Sequence, residues 1–177
     1  MVNKIKQSKG FTLIELLIVI AVMAILMAVV FVALNPLARF EDTRNSRRWT
    51  DVNAIISAIK LHQVDNQGIL LGNLATATSG DYYLIGTSTS GCDTAITCLS
   101  GSGVNIGSSF QASCLSIADL ETKGYLAKVP VDPTTANWDI GKTGYYVVKN
   151  ANGSLTVGAC GEEQGSSDVT KEIEVQR

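Results

Sequence analysis

Hydrophobic positions are concentrated in one long run near the start of the chain. The longest uncharged apolar run extends from Leu16 to Leu34, and the single acid Glu15 separates it from a short apolar segment that begins at Phe11. A helix over the 24 residues from Phe11 to Leu34 would be about 36 Å long, enough to cross the hydrocarbon core of a bilayer. The alternative is a buried helix of a soluble protein, but this run is apolar on every face. The pattern therefore predicts a membrane-spanning helix.

Asn35 and Pro36 end the apolar run. Proline lacks an amide hydrogen and disfavours helical geometry in the residue before it, so we expect a kink or local unwinding here. Beyond it, residues 39–66 predict an amphipathic helix that ends at Gly68. Its apolar stripe, with Trp49 at the head, is expected to pack on a small domain and consists of Val52, Ile55, Ile56, Ile59 and Gln63. The other side is expected to be solvated or to contact other chains, and carries Arg44, Arg47, Arg48, Asp51 and Lys60.

The C-terminal part of the chain predicts a small antiparallel sheet. Residues 144–149 and 154–159 have the pattern of two strands, joined by Asn150-Ala-Asn-Gly153, a typical hairpin sequence. A third candidate strand covers residues 82–85, within a Gly-, Ser- and Thr-rich stretch from 72 to 113 that predicts a long exposed loop region. With a long kinked helix packed on this sheet, the predicted fold class is α+β.

Two further segments complete this outline. A short helix is expected over residues 116–123, followed by Gly124 as its stop signal. The acidic and polar tail from Gly161 either forms an edge strand, through alternation at Val169, Lys171, Ile173 and Val175, or frays; both readings stay open.

Charge is distributed unevenly about the apolar run. Residues 1–10 contain Lys4, Lys6 and Lys9 and no acid, whereas Glu41 and Asp42 lie beyond the run. This asymmetry favours a cytoplasmic N-terminus, with everything after about residue 40 on the other side of the membrane. The formal net charge of −2 becomes −5 without the three lysines, which gives no general electrostatic reason to expect nucleic-acid binding.

The four cysteines all lie in the outer part of the chain: Cys92, Cys98, Cys114 and Cys160. An even number on the oxidising side of a membrane suggests two disulfides. A zinc site is less well supported, because there is no Cys-x-x-Cys pair and the one histidine, His62, is distant in sequence. Among three possible connectivities we expect Cys92–Cys98, which closes a small loop, and Cys114–Cys160, which ties the short helix to the hairpin.

A small residue lies before the apolar run, whereas ordinary secretory signals have their small residues after it. Such signals are cut after the hydrophobic region, but here Gly10 precedes it, in Lys9-Gly10-Phe11-Thr12-Leu13-Ile14-Glu15. Over residues 8–34 the chain closely resembles the leader and helix start of type IV pilins and type II secretion pseudopilins. The resemblance implies that a prepilin peptidase cuts between Gly10 and Phe11 and methylates the new amine of Phe11.

Glu15 is energetically unfavourable at this position. A carboxylate within an apolar helix costs several kcal/mol unless it is protonated, paired or drawn to the interface. The resemblance implies that it pairs with the N-terminal amine of a neighbouring subunit during assembly. The alternative is a glutamate near a helix start that reaches the interface and interacts favourably with the helix dipole.

Motifs of catalysis are absent from the sequence, which has no His-Glu-x-x-His, Gly-x-Ser-x-Gly or phosphate-binding loop. We therefore expect neither an enzyme nor a required cofactor, and we expect His62 to lie on the surface. Asp132, Asn137 and Asp139 form a weak calcium candidate, since closely spaced oxygen ligands suit Ca²⁺. Turns made through side-chain-to-backbone bonds are the preferred explanation for them.

These observations predict a structural subunit of a type IV pilus or pilus-like filament. Its expected partners are copies of itself, the prepilin peptidase, the assembly machinery and, before assembly, the inner membrane. A pseudopilin of a type II secretion system and an anchored binding module that never polymerises remain alternatives. The predicted organisation is a leader over 1–10, a hydrophobic helix over 11–35, an amphipathic helix over 36–67 and a β-rich domain over 68–177.

Overall fold

The apolar run forms a helix that ends at the predicted break. The computed structural model describes residues 10–93, 98, 110–134, 138–165 and 172–177. Helix α1 spans Leu13–Leu34 and helix α2 spans Pro36–Asp65.

Asn35 interrupts the helical path with φ 39° and ψ 72°, in the left-handed region, which asparagine tolerates better than most side chains. Pro36 then takes the first position of α2, where a missing amide hydrogen does no harm. The predicted local unwinding at this dipeptide is confirmed. The boundary between two compact units of the chain falls close by, between Leu37 and Ala38, and the part from residue 38 onward is called the C-terminal unit below.

Helix α2 packs its apolar stripe into the core of the C-terminal unit. Val52, Ile55, Ile56 and Ile59 have no exposed surface, as their spacing predicts. Trp49 is 39% exposed and lies outside this core, so its assignment to the stripe is wrong. The buried positions continue toward the N-terminus through Arg48 and Asn45 instead, because a helical stripe recurs at intervals of three and four residues and Arg48 lies four before Val52.

Two short helices follow α2. Helix α3 spans Gly72–Ala75 and helix α4 spans Ala118–Thr122. The second is the helix expected over residues 116–123, slightly shorter than predicted, and Gly124 after it has a φ of 80°, a conformation that glycine adopts without strain.

Four strands form one antiparallel sheet in the order β1-β2-β3-β4. Their bounds are Tyr82–Leu84 for β1, Tyr145–Lys149 for β2, Leu155–Ala159 for β3 and Glu174–Gln176 for β4. The three strands expected from alternation are therefore confirmed to within a residue or so. Strand β4 pairs with β3 in the register Val157↔Val175, which decides the open question about the tail in favour of an edge strand.

Both faces of this sheet are covered. On one face Tyr145, Val147 and Val157 share an apolar cluster with the α2 stripe. On the other face Tyr146 and Val148 belong to a second cluster. The other buried members of that second cluster are Leu84, Cys92, Cys98, Phe110 and Cys160.

The prediction of an exposed loop over residues 72–113 is wrong at its apolar positions, although many other described residues of this stretch are exposed. Leu74, Ile85, Cys92 and Phe110 are all at most 5% exposed. The Gly-, Ser- and Thr-rich composition conceals scattered apolar residues that pack into the clusters on both faces of the sheet. With α2 packed on one face, the fold is α+β, as the sequence predicts.

Candidate functional site

The start of α1 is fixed by a reciprocal pair of hydrogen bonds between Thr12 and Glu15. Thr12 is the N-cap residue, and the amide of Glu15 donates to its Oγ1 at 3.3 Å. In return, the amide of Thr12 donates to Oε2 of Glu15 at 2.8 Å. Two amide groups at the beginning of the helix thus acquire acceptors, which is the capping-box arrangement.

The hydroxyl of Thr12 strengthens this pair. Its Oγ1 also donates to Oε2 of Glu15 at 2.7 Å, so the carboxylate receives two donors from its own chain. Sequence reasoning did not single out Thr12. The signal was present, since Thr-Leu-Ile-Glu directly before an apolar run matches the capping-box pattern.

Gly10 and Phe11 precede the helix in an accessible stretch. Neither residue is helical, and the side chain of Phe11 is 87% exposed. No atom lies within 4 Å of the place where a Cβ would stand on Gly10. The peptide bond between them is therefore exposed and lies outside the hydrogen-bonded part of α1.

Helix α1 has no buried residue. Its surface is apolar throughout apart from Glu15 near its start, and one patch is lined by Leu26, Met27, Val30, Phe31 and Leu34. Within the described part of the chain, one helix is long and apolar enough to cross a membrane, and its most apolar window lies in this N-terminal region. Such a surface is stable when lipid or other apolar helices cover it.

A buried arginine organises the C-terminal unit. Arg48 has no exposed surface, and it donates from Nε and Nη2 to the two carboxylate oxygens of Asp132, at 2.6 and 2.9 Å. Its Nη1 donates to Oδ1 of Asn45 at 2.7 Å and to Oε2 of Glu163 at 2.9 Å. The expectation that Arg48 lies on a solvated helix face is wrong, because the buried Asp132 and the two further acceptors satisfy the charge that would otherwise keep it in water.

Residues 161–165 lie along α2 as a strap. Glu163 receives two hydrogen bonds from Arg44, at 2.7 and 2.5 Å. The backbone carbonyl of Glu163 accepts from Nδ2 of Asn45 at 2.6 Å, and the amide of Gly165 donates to Glu41 at 2.8 Å. Glycine is required at Gly161, since a Cβ there would lie 2.7 Å from Oδ2 of Asp132.

The pKa values of the two adjacent carboxyl groups of the strap are shifted in opposite directions. Hydrogen bonding to Arg44 holds the pKa of Glu163 below its usual range. Burial raises the pKa of Glu162 to about 7, although Glu162 also accepts a hydrogen bond from the amide of Ile173 at 2.9 Å. Glu162 therefore links the strap to the segment that leads into β4.

The calcium candidates act as turn residues where they are described. Asp132 is buried against Arg48 and accepts from the amide of Thr134 at 2.8 Å. Oδ1 of Asp139 accepts from the amides of Gly141 and Lys142 at 2.8 and 3.0 Å. Asn137 lies outside the described residues. The described part of the chain contains no group of three or more His, Cys, Asp or Glu residues arranged to hold a metal ion.

His62 is 3% exposed, so the prediction of a surface histidine is wrong. Its ring packs edge-on against Tyr125 with centroids 5.3 Å apart, and its Nε2 lies 3.2 Å from Nζ of Lys123. The residue falls on the buried stripe of α2, three positions after Ile59, which is why it turns inward.

All four cysteines are paired, but not as predicted. The disulfides are Cys92–Cys114 and Cys98–Cys160, so the expected Cys92–Cys98 and Cys114–Cys160 pairs are wrong. The expectation considered proximity along the chain, whereas the fold brings position 92 beside 114 through backbone pairing. The amide of Cys92 donates to Ala112 at 2.9 Å and that of Cys114 to Ser88 at 3.0 Å.

These features define a class of protein: an α+β chain whose apolar N-terminal helix, suited to a membrane, begins at an exposed and capped segment. Residues 5–31 match the family model of the prokaryotic N-terminal methylation motif. This motif is the signature of type IV pilins and pseudopilins, and the matched range contains Gly10, Phe11 and Glu15. No curated protein and no solved structure matches the chain.

Proposed function

We propose that the chain is a structural subunit of a type IV pilus or pilus-like filament. A prepilin peptidase cuts between Gly10 and Phe11 and methylates the amine of Phe11. The mature chains then polymerise through α1, so that these helices form the apolar centre of the filament and the C-terminal units coat it. Its function is structural and not enzymatic.

The observation that carries this proposal is an exposed Gly10–Phe11 bond next to a helix without a single buried residue. Lipid covers that surface while the subunit is anchored in the cytoplasmic membrane. Once the subunit leaves the membrane, only other apolar helices can replace the lipid. Copies of the same helix can cover this surface without any other protein, which favours a polymer at the cell surface.

In this proposal Glu15 also neutralises a positive charge on a neighbouring subunit. Cleavage creates a positive amine at Phe11, and an unpaired ammonium group in an apolar filament core would be strongly unfavourable. The carboxylate of Glu15 on a neighbouring subunit neutralises that charge. The bonds from Thr12 hold the carboxylate at the beginning of α1 before the neighbour arrives.

A pseudopilin of a secretion system is the second candidate, since the methylation motif is shared by pilins and pseudopilins. The two differ in the phenotype of a deletion strain. Loss of long surface filaments with normal secretion supports a pilus, and loss of secreted proteins without loss of surface filaments supports a pseudopilus. An anchored module that never polymerises would show neither defect.

Mass spectrometry of the mature N-terminal peptide tests the processing step. The peptide is expected to begin at Phe11 and to carry a methyl group on its amine. A mature protein that retains Gly10, or one that begins after residue 34, contradicts the proposal.

A pair of variants tests assembly separately from capping. Glu15→Ala removes both the capping carboxylate and the partner of the neighbour's amine, whereas Thr12→Ala removes the cap and leaves Glu15 in place. We expect processed subunits but few or no filaments from Glu15→Ala, and near-normal filaments from Thr12→Ala, by electron microscopy of strains without a wild-type copy. Equal loss in both variants would assign the effect to the cap, and normal filaments from Glu15→Ala would show that the charge pairing is dispensable.

A further inference from the structure

The two disulfides are interlaced along the chain. In sequence order the first cysteine pairs with the third and the second with the fourth, across separations of 22 and 62 residues. Neither bond joins cysteines that are neighbours in sequence. The loop closed by one bond therefore overlaps the loop closed by the other.

Encounters in an unfolded chain favour a different pairing. Cys92 and Cys98 lie six positions apart, and the probability that the ends of a flexible loop meet falls with about the 3/2 power of its length. On this scaling Cys92 meets Cys98 about seven times as often as it meets Cys114. Because the N-terminal part of a chain is synthesised first, Cys92 and Cys98 also become available together, before either native partner.

The native pairs depend on contacts that form only with the fold. Cys92 is placed beside Cys114 by hydrogen bonds between residues 88–92 and 112–114. Cys160 follows β3, and its amide donates to Gly144 at 2.8 Å, next to the start of β2. The partner of Cys98 is therefore in place only after the β2–β3 hairpin has formed.

Folding hinders the exchange of mispaired disulfides, because it buries their sulfur atoms. Cys92 and Cys98 have no exposed surface, Cys160 is 7% exposed and Cys114 is partly buried. All four lie in or against the apolar cluster that also contains Tyr146 and Phe110. Disulfide exchange requires that a thiolate reach a sulfur atom of the bond. Mispaired bonds must therefore be exchanged while the C-terminal unit is still open.

We propose that this chain is a substrate of a thiol–disulfide isomerase, which acts outside the cytoplasm before the C-terminal unit closes. The inference rests on the connectivity and burial of the cysteines and on the proposed location of the C-terminal unit outside the cytoplasm, and it holds whether or not the chain polymerises.

The exchange needs no net oxidant. The isomerase thiolate attacks Cys92 of a Cys92–Cys98 bond, forms a mixed disulfide and releases the thiolate of Cys98. That thiolate attacks Cys160 of a Cys114–Cys160 bond and releases the thiolate of Cys114. Cys114 then attacks Cys92 in the mixed disulfide and returns the isomerase thiolate, so two bonds are broken, two native bonds are formed and no electrons are lost.

The test uses the full chain, reduced and denatured, diluted into detergent and oxidised with diamide, which leaves no thiol behind. Non-reducing peptide mapping should find Cys92–Cys98 in about sevenfold excess over Cys92–Cys114 at early times. Catalytic amounts of reduced protein disulfide isomerase should then convert it to Cys92–Cys114 and Cys98–Cys160. An isomerase with both active-site cysteines replaced by serine should convert none.

Two double variants serve as matched controls. Cys92→Ser/Cys114→Ser and Cys98→Ser/Cys160→Ser each leave two cysteines and one possible bond, so their oxidation should not respond to the isomerase, whether or not they fold fully. The proposal would be overturned if the native disulfides formed first in the wild-type chain and did so at the same rate with and without isomerase. Analysis of the Phe11 terminus is independent of this result, so failure here is distinguishable from failure of the proposed function.

Discussion

Arg48 and Asp132 form a two-point ion pair in which neither side chain is exposed to solvent, across 84 positions of sequence. The planar guanidinium matches both oxygens of the carboxylate, and Asn45 and Glu163 satisfy its remaining nitrogen. The pair connects α2 to the segment before β2, so the packing of the helix depends on charges that are far from it in sequence.

Loss of Arg48 should destabilise the C-terminal unit more than the loss of any other arginine in α2. Arg48→Ala leaves Asp132 buried without its counter-charge, and we expect the free energy of unfolding to fall by about 3–5 kcal/mol. Arg48→Lys should recover only part of this loss, because a lysine cannot bond both oxygens in the same plane. Chemical denaturation of the three proteins measures the effect. Arg47→Ala, at a side chain that is 67% exposed, is the control, and an equal loss there would contradict the role given to Arg48.

The stability of the β4 region should decrease as the pH rises through neutrality. Burial raises the pKa of Glu162 to about 7 from an ordinary value of 4.5, and the nearby Glu172 and Glu174 act in the same direction, while the Ile173 amide and Arg48 oppose the change. Since the folded form binds this proton more tightly, its stabilising contribution is complete below about pH 4.5 and is lost as the pH approaches and passes 7. Glu162→Gln should flatten this dependence between pH 5 and 8.

Hydrogen exchange of the Ile173 amide, which donates to Glu162, provides the measurement, after correction for the intrinsic effect of pH. Glu163→Gln is a useful comparison because the pKa of Glu163 is lowered by Arg44. Its contribution has the opposite sign, being present above the ordinary carboxyl pKa and lost on acidification. A wild-type profile identical to that of Glu162→Gln would refute the assignment.

The two disulfides should contribute unequally to stability. The chain-entropy estimate gives about 3 kcal/mol for the 22-residue separation of Cys92–Cys114 and about 4 kcal/mol for the 62-residue separation of Cys98–Cys160. We therefore expect Cys98→Ser/Cys160→Ser to melt at a lower temperature than Cys92→Ser/Cys114→Ser. Calorimetry of both variants under non-reducing conditions decides the order, and the reverse order would show that local packing outweighs loop length.

Gly158 should not tolerate a side chain. It lies opposite Tyr146 in the sheet, and a Cβ on Gly158 would lie 2.4 Å from Cζ of that ring. Gly158→Ala should displace the tyrosine, whose hydroxyl donates to Glu174 at 2.9 Å, and destabilise the unit by about 1–3 kcal/mol. Gly72→Ala is the matched control, because nothing lies within 4 Å of a Cβ there, and it should melt close to the wild type.

The regular parts of the fold were predictable because local patterns determine them. An apolar run, an Asn-Pro break, a helical stripe at Val52 and Ile59 and a hairpin turn each act over a few residues. The capping box at Thr12 was equally local and could have been found. Arg48 and His62 were misplaced because residue type suggests the surface, whereas their burial depends on partners far away along the chain. The disulfide pairing failed for the same reason.

The strap over α2 has a mechanical consequence. Arg44 and Asn45 lie about one turn before Arg48 on the helix, and all three bond to Glu163. A force applied along the axis of α2 would load these bonds simultaneously, in shear, whereas a force applied at the Gly165 end of the strap would break the bond from Gly165 to Glu41 before it reached those at Glu163. The C-terminal unit is therefore built to resist tension that arrives through its helix and to yield to tension that arrives through its tail.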